Sequence, residues 1–254
     1  MTRLVAILGP TASGKSEIAL ELAEDLGAPI ISVDSMQVYR GMDIGTAKPD
    51  REAQGRVRHY LIDVVEPEYP YTAAEFQREA RTVIMRDRHD VLLIVGGSGL
   101  HFRSVVDPLS FPPHDRTIRA EVEATLDPVE ALLEVDPDAG EVVDLANRRR
   151  VIRALEVWHL TGLTPSERAG TAEALALRDY APLYDFVAVG IDPGDALEAR
   201  IAARTELMRE RGLLDEVARL VGRLGPTASR AVGYAQLAPV VEGRLDEEEG
   251  WAQV

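Results

Sequence analysis

Eight residues near the start of the chain have the types and the spacing of a phosphate-binding loop. Four residues separate Gly9 from Gly14, and Lys15 and Ser16 follow directly. In such a loop, backbone N–H groups and a helix N-terminus point at phosphate oxygens, the lysine adds a full charge, and the serine hydroxyl can hold Mg²⁺. We therefore expect a ligand with a di- or triphosphate to bind at Gly9, Pro10, Thr11, Ala12, Ser13, Gly14, Lys15 and Ser16.

The loop by itself leaves the reaction open. Kinases, NTPases and group transferases all use this motif, and a glycine-containing turn that only caps a helix is the alternative without a ligand. Other polar residues along the chain have to distinguish these possibilities.

Two such polar residues follow predicted strands. Asp34 comes directly after the apolar run Pro29–Val33, and Ser98 lies in the glycine-rich segment behind Val91–Val95. Ligands of open α/β sheets gather outside the carboxyl ends of the strands, so both side chains are expected near the phosphate loop. Asp34 would face the crevice of the phosphate loop and suits a helix N-cap or a magnesium ligand, and Ser98 suits a ligand contact or an N-cap. The sequence alone does not choose among these roles.

Arginines cluster in one stretch of an otherwise acidic chain. Four of the seven residues from Asn147 to Arg153 are arginines, whereas the formal net charge of the protein is −15. That charge argues against indiscriminate binding to nucleic acid, because long-range repulsion opposes the phosphate backbone. A local arginine track still suits a phosphodiester partner, and a solvated surface is the alternative.

The elements that must position these residues alternate between apolar strands and amphipathic helices. This order predicts right-handed crossovers and an α/β fold, a P-loop NTPase-like parallel sheet flanked by helices. The predicted strands are Leu4–Leu8, Pro29–Val33, Leu61–Val65, Val91–Val95 and Phe186–Ile191. The predicted helices are Glu17–Leu26, Thr72–Arg88 with a Thr72–Glu75 capping box, Asn147–Gly162, Asp195–Arg211, Leu213–Leu224, one from Ser229, and Asp246–Val254.

The stretch Pro108–Asp144 differs from the rest of the chain. Prolines interrupt it, its apolar spacing is helical in short pieces, and it lacks a strand pattern. We therefore predict a core domain formed by residues 1–107 and 145–254, with residues 108–144 as a small helical insertion. The sequence stops inside a helical pattern, which predicts either a further C-terminal segment or a frayed helix end.

Composition excludes several classes of protein. The chain contains no cysteine, which excludes disulfides, thiolate catalysis and cysteine-ligated zinc. It has no apolar run of the roughly 18 residues that span a bilayer and no signal-peptide pattern, so we expect a cytoplasmic protein without a membrane partner. We also expect a monomer.

Five motifs, taken together and in this order, resemble the tRNA dimethylallyltransferase family. They are Gly9–Ser16, Asp34–Pro49, Gly96–Leu100, Arg153–Val157 and Val232–Tyr234. The long second motif separates this family from other phosphate-loop proteins. The resemblance implies an Mg²⁺-dependent transfer of a dimethylallyl group from dimethylallyl diphosphate to N6 of adenosine 37 in tRNA, giving N6-dimethylallyladenosine and diphosphate.

The resemblance also implies roles for particular residues. Asp34 would accept the N6 proton, Ser98 would be a second contact near that amine, and Lys15 and Arg204 would stabilise the departing diphosphate. The phosphate loop would hold the prenyl diphosphate instead of ATP, with Ser16 at the metal. The anticodon stem loop, clamped by the insertion, would contact Asp34, Ser35, Met36, Gln37, Ser98, Arg119, Arg149, Arg150, Arg153, Arg230, Gly233 and Tyr234.

This chain departs from the family pattern beside the predicted amine site. Ser98 stands where threonine is common, which keeps the hydroxyl, and His101 stands where tyrosine is usual. Two rival functions use the same loop: a small-molecule or nucleotide kinase with ATP as donor, and an RNA-binding NTPase switch. Only the transferase accounts for the block Asp34–Pro49.

Overall fold

The computed structural model describes residues 2–254, and the chain divides into two compact units. Residues 2–105 and 184–254 form the first unit, and residues 106–183 form the second. The predicted insertion ended at residue 144, whereas the second unit continues to Leu183. No helix of residues 2–254 is long and apolar enough to cross a lipid bilayer.

The first unit is built on a five-stranded parallel sheet. Leu8 pairs with Gly96 on one side and with Gly190 on the other, so three neighbouring strands end together. The sheet order is β3-β2-β4-β1-β5. The strands are β1 (Arg3–Leu8), β2 (Ile30–Ser32), β3 (His59–Tyr60), β4 (Val91–Gly96) and β5 (Phe186–Gly190). The predicted parallel α/β sheet is confirmed, and the loops after β1, β2 and β4 leave it at one edge.

Helices flank this sheet and also form the second unit. They are α1 (Lys15–Leu26), α2 (Arg51–Arg56), α3 (Ala73–Arg86), α4 (Gly99–Val106), α5 (Arg116–Glu123), α6 (Pro128–Val135), α7 (Arg148–Thr161), α8 (Pro165–Ala169), α9 (Ala172–Arg178), α10 (Leu197–Glu210), α11 (Leu213–Leu220), α12 (Tyr234–Val241) and α13 (Glu247–Trp251). Helices α5 to α9 belong to the second unit. Single 3-10 turns lie at Ala139–Glu141, Gly194–Ala196, Val221–Arg223 and Ala228–Arg230.

Local chemistry explains several helix ends. Thr72 and Glu75 form both bonds of the predicted capping box at the start of α3. Asn147 begins α7 by accepting a hydrogen bond from the Arg150 N–H. Gly27 and Gly162 end α1 and α7 in the left-handed conformation, which glycine adopts without a steric penalty.

The core of the first unit fixes the start of α1. Two small residues of this helix, Ala19 and Ala23, are buried against Ile7 of β1 and Leu93 of β4. Because alanines let a helix approach the sheet closely, the turn between β1 and α1 has little room to move. This turn is the predicted phosphate loop.

The second unit has its own hydrophobic core. Val151 and Leu155 of α7 pack with Val122 of α5 and Leu132 of α6. The apolar face of α7 is therefore buried within this unit instead of on the sheet, which is why the unit extends past residue 144.

The prediction of a strand over Leu61–Val65 is wrong. Leu61 and Asp63 have φ values of 62° and 53°, which an extended strand cannot include. Val65 forms only an isolated bridge with Tyr39. The strand in this region is the shorter β3.

Candidate active site at the carboxyl edge of the sheet

The phosphate loop connects β1 to α1, and two of its positions require glycine. A Cβ atom on Gly9 would lie 2.6 Å from the carbonyl oxygen of Ile191 and 2.9 Å from Ser13 Oγ. Gly14 enters the helix with a φ of 88°. Gly9 therefore allows the loop to pack against the segment after β5, and Gly14 allows the turn into α1.

Lys15 and Arg204 are close enough to interact with each other and with Asp34. Lys15 Nζ donates to the carbonyl oxygen of Pro10 at 2.9 Å, which folds the side chain back over the loop. Burial and then Arg204 lower the pKa of Lys15, whereas Asp34 raises it. Burial also lowers the pKa of Arg204, whereas the negative charge of Asp34 raises it. An anionic ligand would relieve the repulsion between Lys15 and Arg204.

A second arginine of α10 also faces the loop. Arg200 precedes Arg204 by one helical turn, and its Nη1 lies 3.4 Å from the carbonyl oxygen of Ser13. Sequence reasoning missed Arg200, although the four-residue spacing of the two arginines on one helix was a usable signal. Helix α10 thus brings two positive side chains to the phosphate loop.

Asp34 follows β2 and caps the turn behind it. Its Oδ1 accepts hydrogen bonds from the N–H groups of Met36 at 2.8 Å and Gln37 at 3.2 Å. Its Oδ2 accepts none from residues 2–254. The carboxylate is therefore held by one oxygen, and Asp34 lines the cavity.

Ser98 lies between β4 and α4 and lines the same cavity. Its Oγ is 2.7 Å from His101 Nδ1, and its carbonyl oxygen accepts the Phe102 N–H at 2.9 Å. The His101 ring packs edge-on against Phe76 with 4.7 Å between the centroids. Burial lowers the pKa of His101, while Asp34 opposes this effect. Ser98 thus both starts α4 and lines the cavity.

These groups line a cavity of about 680 Å³. Its polar lining consists of Thr11, Lys15, Ser16, Glu17, Ser32, Asp34, Ser35, Gln37, Thr46, Asp50, His59, Ser98 and Arg204. Its apolar part contains Ala19, Leu20, Ile30, Ala53 and Val95. The combination suits a ligand that joins a diphosphate to a small hydrocarbon. Residues 2–254 contain no group of three or more His, Asp or Glu side chains arranged to hold a metal ion.

The predicted RNA contacts of the first unit fall into two groups. Ser35 and Gln37 line the cavity, Met36 is half-buried beside them, and Arg230 is exposed. Gly233 and Tyr234, by contrast, are buried, and the Tyr234 hydroxyl donates to Glu216 at 2.5 Å. This burial contradicts the predicted RNA contact of the Tyr234 side chain, because its aromatic ring is inside the core.

The predicted RNA contacts of the second unit form one groove. The groove has a volume of about 810 Å³ and is lined by five arginines, Arg119, Arg149, Arg150, Arg153 and Arg168. Arg168 was not predicted, and burial followed by Arg153 lowers its pKa. Arg149 and Arg150 are exposed, and Arg150 makes only a long ion pair of 3.8 Å with Asp144. The groove is therefore open to an anionic partner.

A buried carboxylate, Glu156, contacts two of the arginines that line this groove. Glu156 lies 2.9 Å from Arg153 Nη1 and 3.4 Å from Arg119 Nη1, and it contacts His114. Burial alone would raise the pKa of Glu156, but hydrogen bonds from Arg153, the Asp115 N–H and His114 lower it. Glu156 thus stays ionised and holds two arginines of the groove.

Comparisons with known proteins agree with this geometry. The sequence model of the IPP transferase family matches residues 37–254. A protein of Parafrankia sp. (strain EAN1pec) named tRNA dimethylallyltransferase is 44% identical over 261 residues, which cover 98% of this chain and 79% of that relative. The match to this relative therefore extends over nearly the whole chain.

Two solved structures are also similar. A tRNA delta(2)-isopentenylpyrophosphate transferase from Staphylococcus epidermidis is 32% identical with a TM-score of 0.67, over 99% of this chain and 84% of that one. A eukaryotic dimethylallyltransferase acting on tRNA has a TM-score of 0.81 at 22% identity, over 99% and 67% of the two chains. The second likeness concerns the fold alone and agrees with the predicted P-loop α/β class.

Proposed function

The chain belongs to the IPP transferase family, and from this premise we propose that it prenylates tRNA. The reaction transfers a dimethylallyl group from dimethylallyl diphosphate to N6 of adenosine 37, releasing diphosphate. The observation that carries the proposal is the pair Lys15 and Arg204 beside Asp34, in a cavity that also has an apolar part. A phosphate site, a base and a hydrocarbon site are thereby combined.

The diphosphate gains negative charge as its bond to the dimethylallyl carbon breaks. Lys15, Arg204 and the backbone N–H groups of the phosphate loop are positioned to stabilise that charge before the reaction begins. Removing one such donor typically costs about 3–4 kcal/mol of transition-state stabilisation. The positive groups of this site therefore serve an alkyl transfer, in which diphosphate is the leaving group.

Asp34 is suited to accept the proton of the adenine amine. The N6 lone pair is delocalised into the ring, so the amine needs an acceptor as its bond to carbon forms. With Oδ1 held by two N–H groups, Oδ2 remains for N6–H. General-base assistance is typically worth about 10²–10⁴ in rate. Ser98, which lines the same cavity, would be a second polar contact to the amine.

Mg²⁺ is the cofactor that we propose, with Ser16 as its protein ligand. Ser16, the last residue of the phosphate loop, lines the cavity, and Mg²⁺ bound to phosphates needs few protein ligands. When bound, the ion would supply further positive charge to the diphosphate.

RNA binding is proposed for exposed basic residues in each unit. Arg149 and Arg150 of the second unit and Arg230 of the first are exposed. Because the chain is acidic overall, such binding relies on local arginines and should weaken steeply with salt. The target base must leave the anticodon-loop stack to reach Asp34. The monomeric state and the cytoplasmic location stay predictions from the sequence.

The proposal is tested by incubating the protein with labelled dimethylallyl diphosphate, Mg²⁺ and an anticodon stem loop with adenosines at positions 36 to 38. Label should move to the RNA, whereas labelled ATP should transfer nothing. Asp34→Asn should lower turnover far more than donor binding, and Lys15→Ala should lower both. Asp25→Asn, an exposed change on α1, serves as the control. Absence of transfer by the folded wild type, or phosphorylation with ATP, would contradict the proposal.

A further inference from the structure

A buried carboxylate of α11 binds the backbone of a distant loop. Glu216 is 2% exposed and accepts hydrogen bonds from the N–H groups of Asp43 at 3.1 Å, Ile44 at 3.0 Å and Gly45 at 3.2 Å. No cation of residues 2–254 pairs with it. A buried charge without a counter-ion is costly unless donors surround it. The three N–H groups of the Asp43–Gly45 segment therefore take the place of a counter-ion for Glu216.

Tyr234 completes the same cluster from α12. Its hydroxyl donates to Glu216 Oε1 at 2.5 Å, and its ring is fully buried. Burial and the neighbouring Glu216 raise the pKa of Tyr234 well above its ordinary value, so the hydroxyl remains a donor. The ring covers Gly45 so closely that a Cβ atom there would lie 2.4 Å from Tyr234 Cε2.

The loop leads from this cluster to the cavity. Thr46 and Ala47 follow Gly45 directly and line the cavity. Their carbonyl oxygens accept hydrogen bonds from Gln37 Nε2 at 3.2 and 3.4 Å. The Gln37 N–H in turn donates to Asp34 Oδ1 at 3.2 Å. A continuous series of bonds thus connects Tyr234 and Glu216 with the carboxylate of Asp34.

A second anchor limits how far the loop can move. Lys48 Nζ, which is almost completely buried, donates to the Tyr39 carbonyl oxygen and to Asp43 and Asp63 at 2.7, 2.7 and 2.6 Å. Because this end is held independently, weakening the Glu216 cluster should loosen the loop without unfolding the unit.

We propose that Glu216 and Tyr234 are positioning residues for Asp34 and for the cavity wall at Thr46 and Ala47. The inference rests on the proposed function, because it gives Asp34 the role of base. It replaces the RNA contact predicted for Tyr234: the ring acts inside the core, through the Asp43–Ala47 loop. Neither residue touches the reacting atoms.

The variants Tyr234→Phe and Glu216→Gln test this inference. Tyr234→Phe removes one hydroxyl and keeps the ring, and Glu216→Gln keeps the size but turns an NH₂ toward backbone donors. We expect turnover to fall about tenfold in Tyr234→Phe and further in Glu216→Gln, since tenfold in rate corresponds to about 1.4 kcal/mol. The KM for the RNA should stay within about twofold of the wild-type value.

A matched control removes an equivalent bond elsewhere. The Tyr69 hydroxyl donates to Glu75 at 2.5 Å on the exposed surface, so Tyr69→Phe deletes a Tyr–Glu bond that does not reach the cavity. This variant should keep wild-type turnover. If Tyr234→Phe instead raises the KM for the RNA with unchanged turnover, Tyr234 contacts RNA and the inference is overturned; unchanged kinetics also overturn it.

Amide hydrogen exchange separates this inference from the proposed function. Glu216→Gln should speed exchange at Asp43, Ile44 and Gly45 while the protection of β1 and β4 stays unchanged. If the wild type proves unable to prenylate RNA, the proposed function fails, and Glu216 and Tyr234 no longer position a base. Unchanged exchange in the loop would overturn the inference whatever the activity.

Discussion

Replacing Glu156 by glutamine tests how the second unit holds its arginines. Glu156 Oε1 accepts the Asp115 N–H at 3.1 Å and contacts His114, while Oε2 faces Arg119 and Arg153. Glutamine fills the same volume, but it removes the charge and turns an NH₂ group toward one of these two sets of donors. If the NH₂ group faces Arg119 and Arg153, both guanidinium groups lose their acceptor; if it faces the other side, the Asp115 N–H loses its acceptor.

The expected loss of stability follows from this geometry. A hydrogen bond to a charged group is worth about 1.5–3 kcal/mol net, and breaking a fully buried ion pair costs about 3–5 kcal/mol. The side chains of Arg119 and Arg153 are 30% and 34% exposed, so water replaces part of what they lose. We therefore expect the free energy of unfolding to fall by about 2–3 kcal/mol at pH 7.

The pH dependence has a definite sign. The pKa of Glu156 is lowered in the folded protein, so its contribution is present above the ordinary glutamate value near 4.3. It is lost as the pH falls through the folded pKa. The difference between wild type and Glu156→Gln should therefore shrink in acid.

Urea unfolding monitored by Trp158 fluorescence measures this difference. Trp158 lies on α7, two residues from Glu156, and replacing Trp251 by phenylalanine in every variant isolates its signal. Glu123→Gln is the control, because Glu123 binds Arg119 at 2.9 Å on the exposed surface and should contribute less than about 1 kcal/mol. A loss no larger than the control, or one that grows in acid, would refute the reasoning.

Two further predictions concern the cavity. Gly97→Ala places a Cβ atom 2.9 Å from the Gly9 carbonyl oxygen and 3.7 Å from Lys15 Nζ. Titration calorimetry should therefore give at least about tenfold weaker binding of dimethylallyl diphosphate to this variant. Gly99→Ala is the control, because the space around Gly99 is open, and it should bind the diphosphate like the wild type. Burial lowers the pKa of His101 below its ordinary value near 6.5, so the ring is still neutral at pH 6.5. It becomes protonated only below this lowered pKa, where Nδ1 can only donate to Ser98. As the pH is lowered from 7.5 through the pKa of His101, turnover should therefore fall more steeply in wild type than in His101→Phe, and parallel profiles would contradict this role of His101.

Residues that act through their nearest neighbours in the chain were predictable. The glycines and the lysine of the phosphate loop, the capping box at Thr72 and the cap at Asn147 depend on spacings of a few residues. The meeting of Asp34, Ser98 and the phosphate loop was predictable as well, since the carboxyl ends of parallel strands share one edge of a sheet.

Residues whose partners are distant in the chain were not predictable in this way. Glu216 binds the loop at Asp43 across 173 positions, and neither its periodicity nor its neighbours distinguish it from an exposed glutamate of an amphipathic helix. The burial of Tyr234, to which the resemblance assigned an RNA contact, was not predictable either, because its ring packs on Gly45 in a distant part of the chain. The extent of the second unit was not predictable either, because the sequence of an apolar helical face does not identify the element that packs against it.

The sequence by itself determined the phosphate loop, the parallel sheet and the residue types of the cavity, because these follow from local spacing and from the common direction of the strands. Only the tertiary structure decided which polar side chains line the cavity and which form hydrogen bonds inside the core. Asp34 is held by two N–H groups of its own turn, whereas the loop beyond it depends on Glu216 and Tyr234 from the far end of the chain. Burial and hydrogen bonding between distant segments make that distinction, and neither is a property of a local pattern.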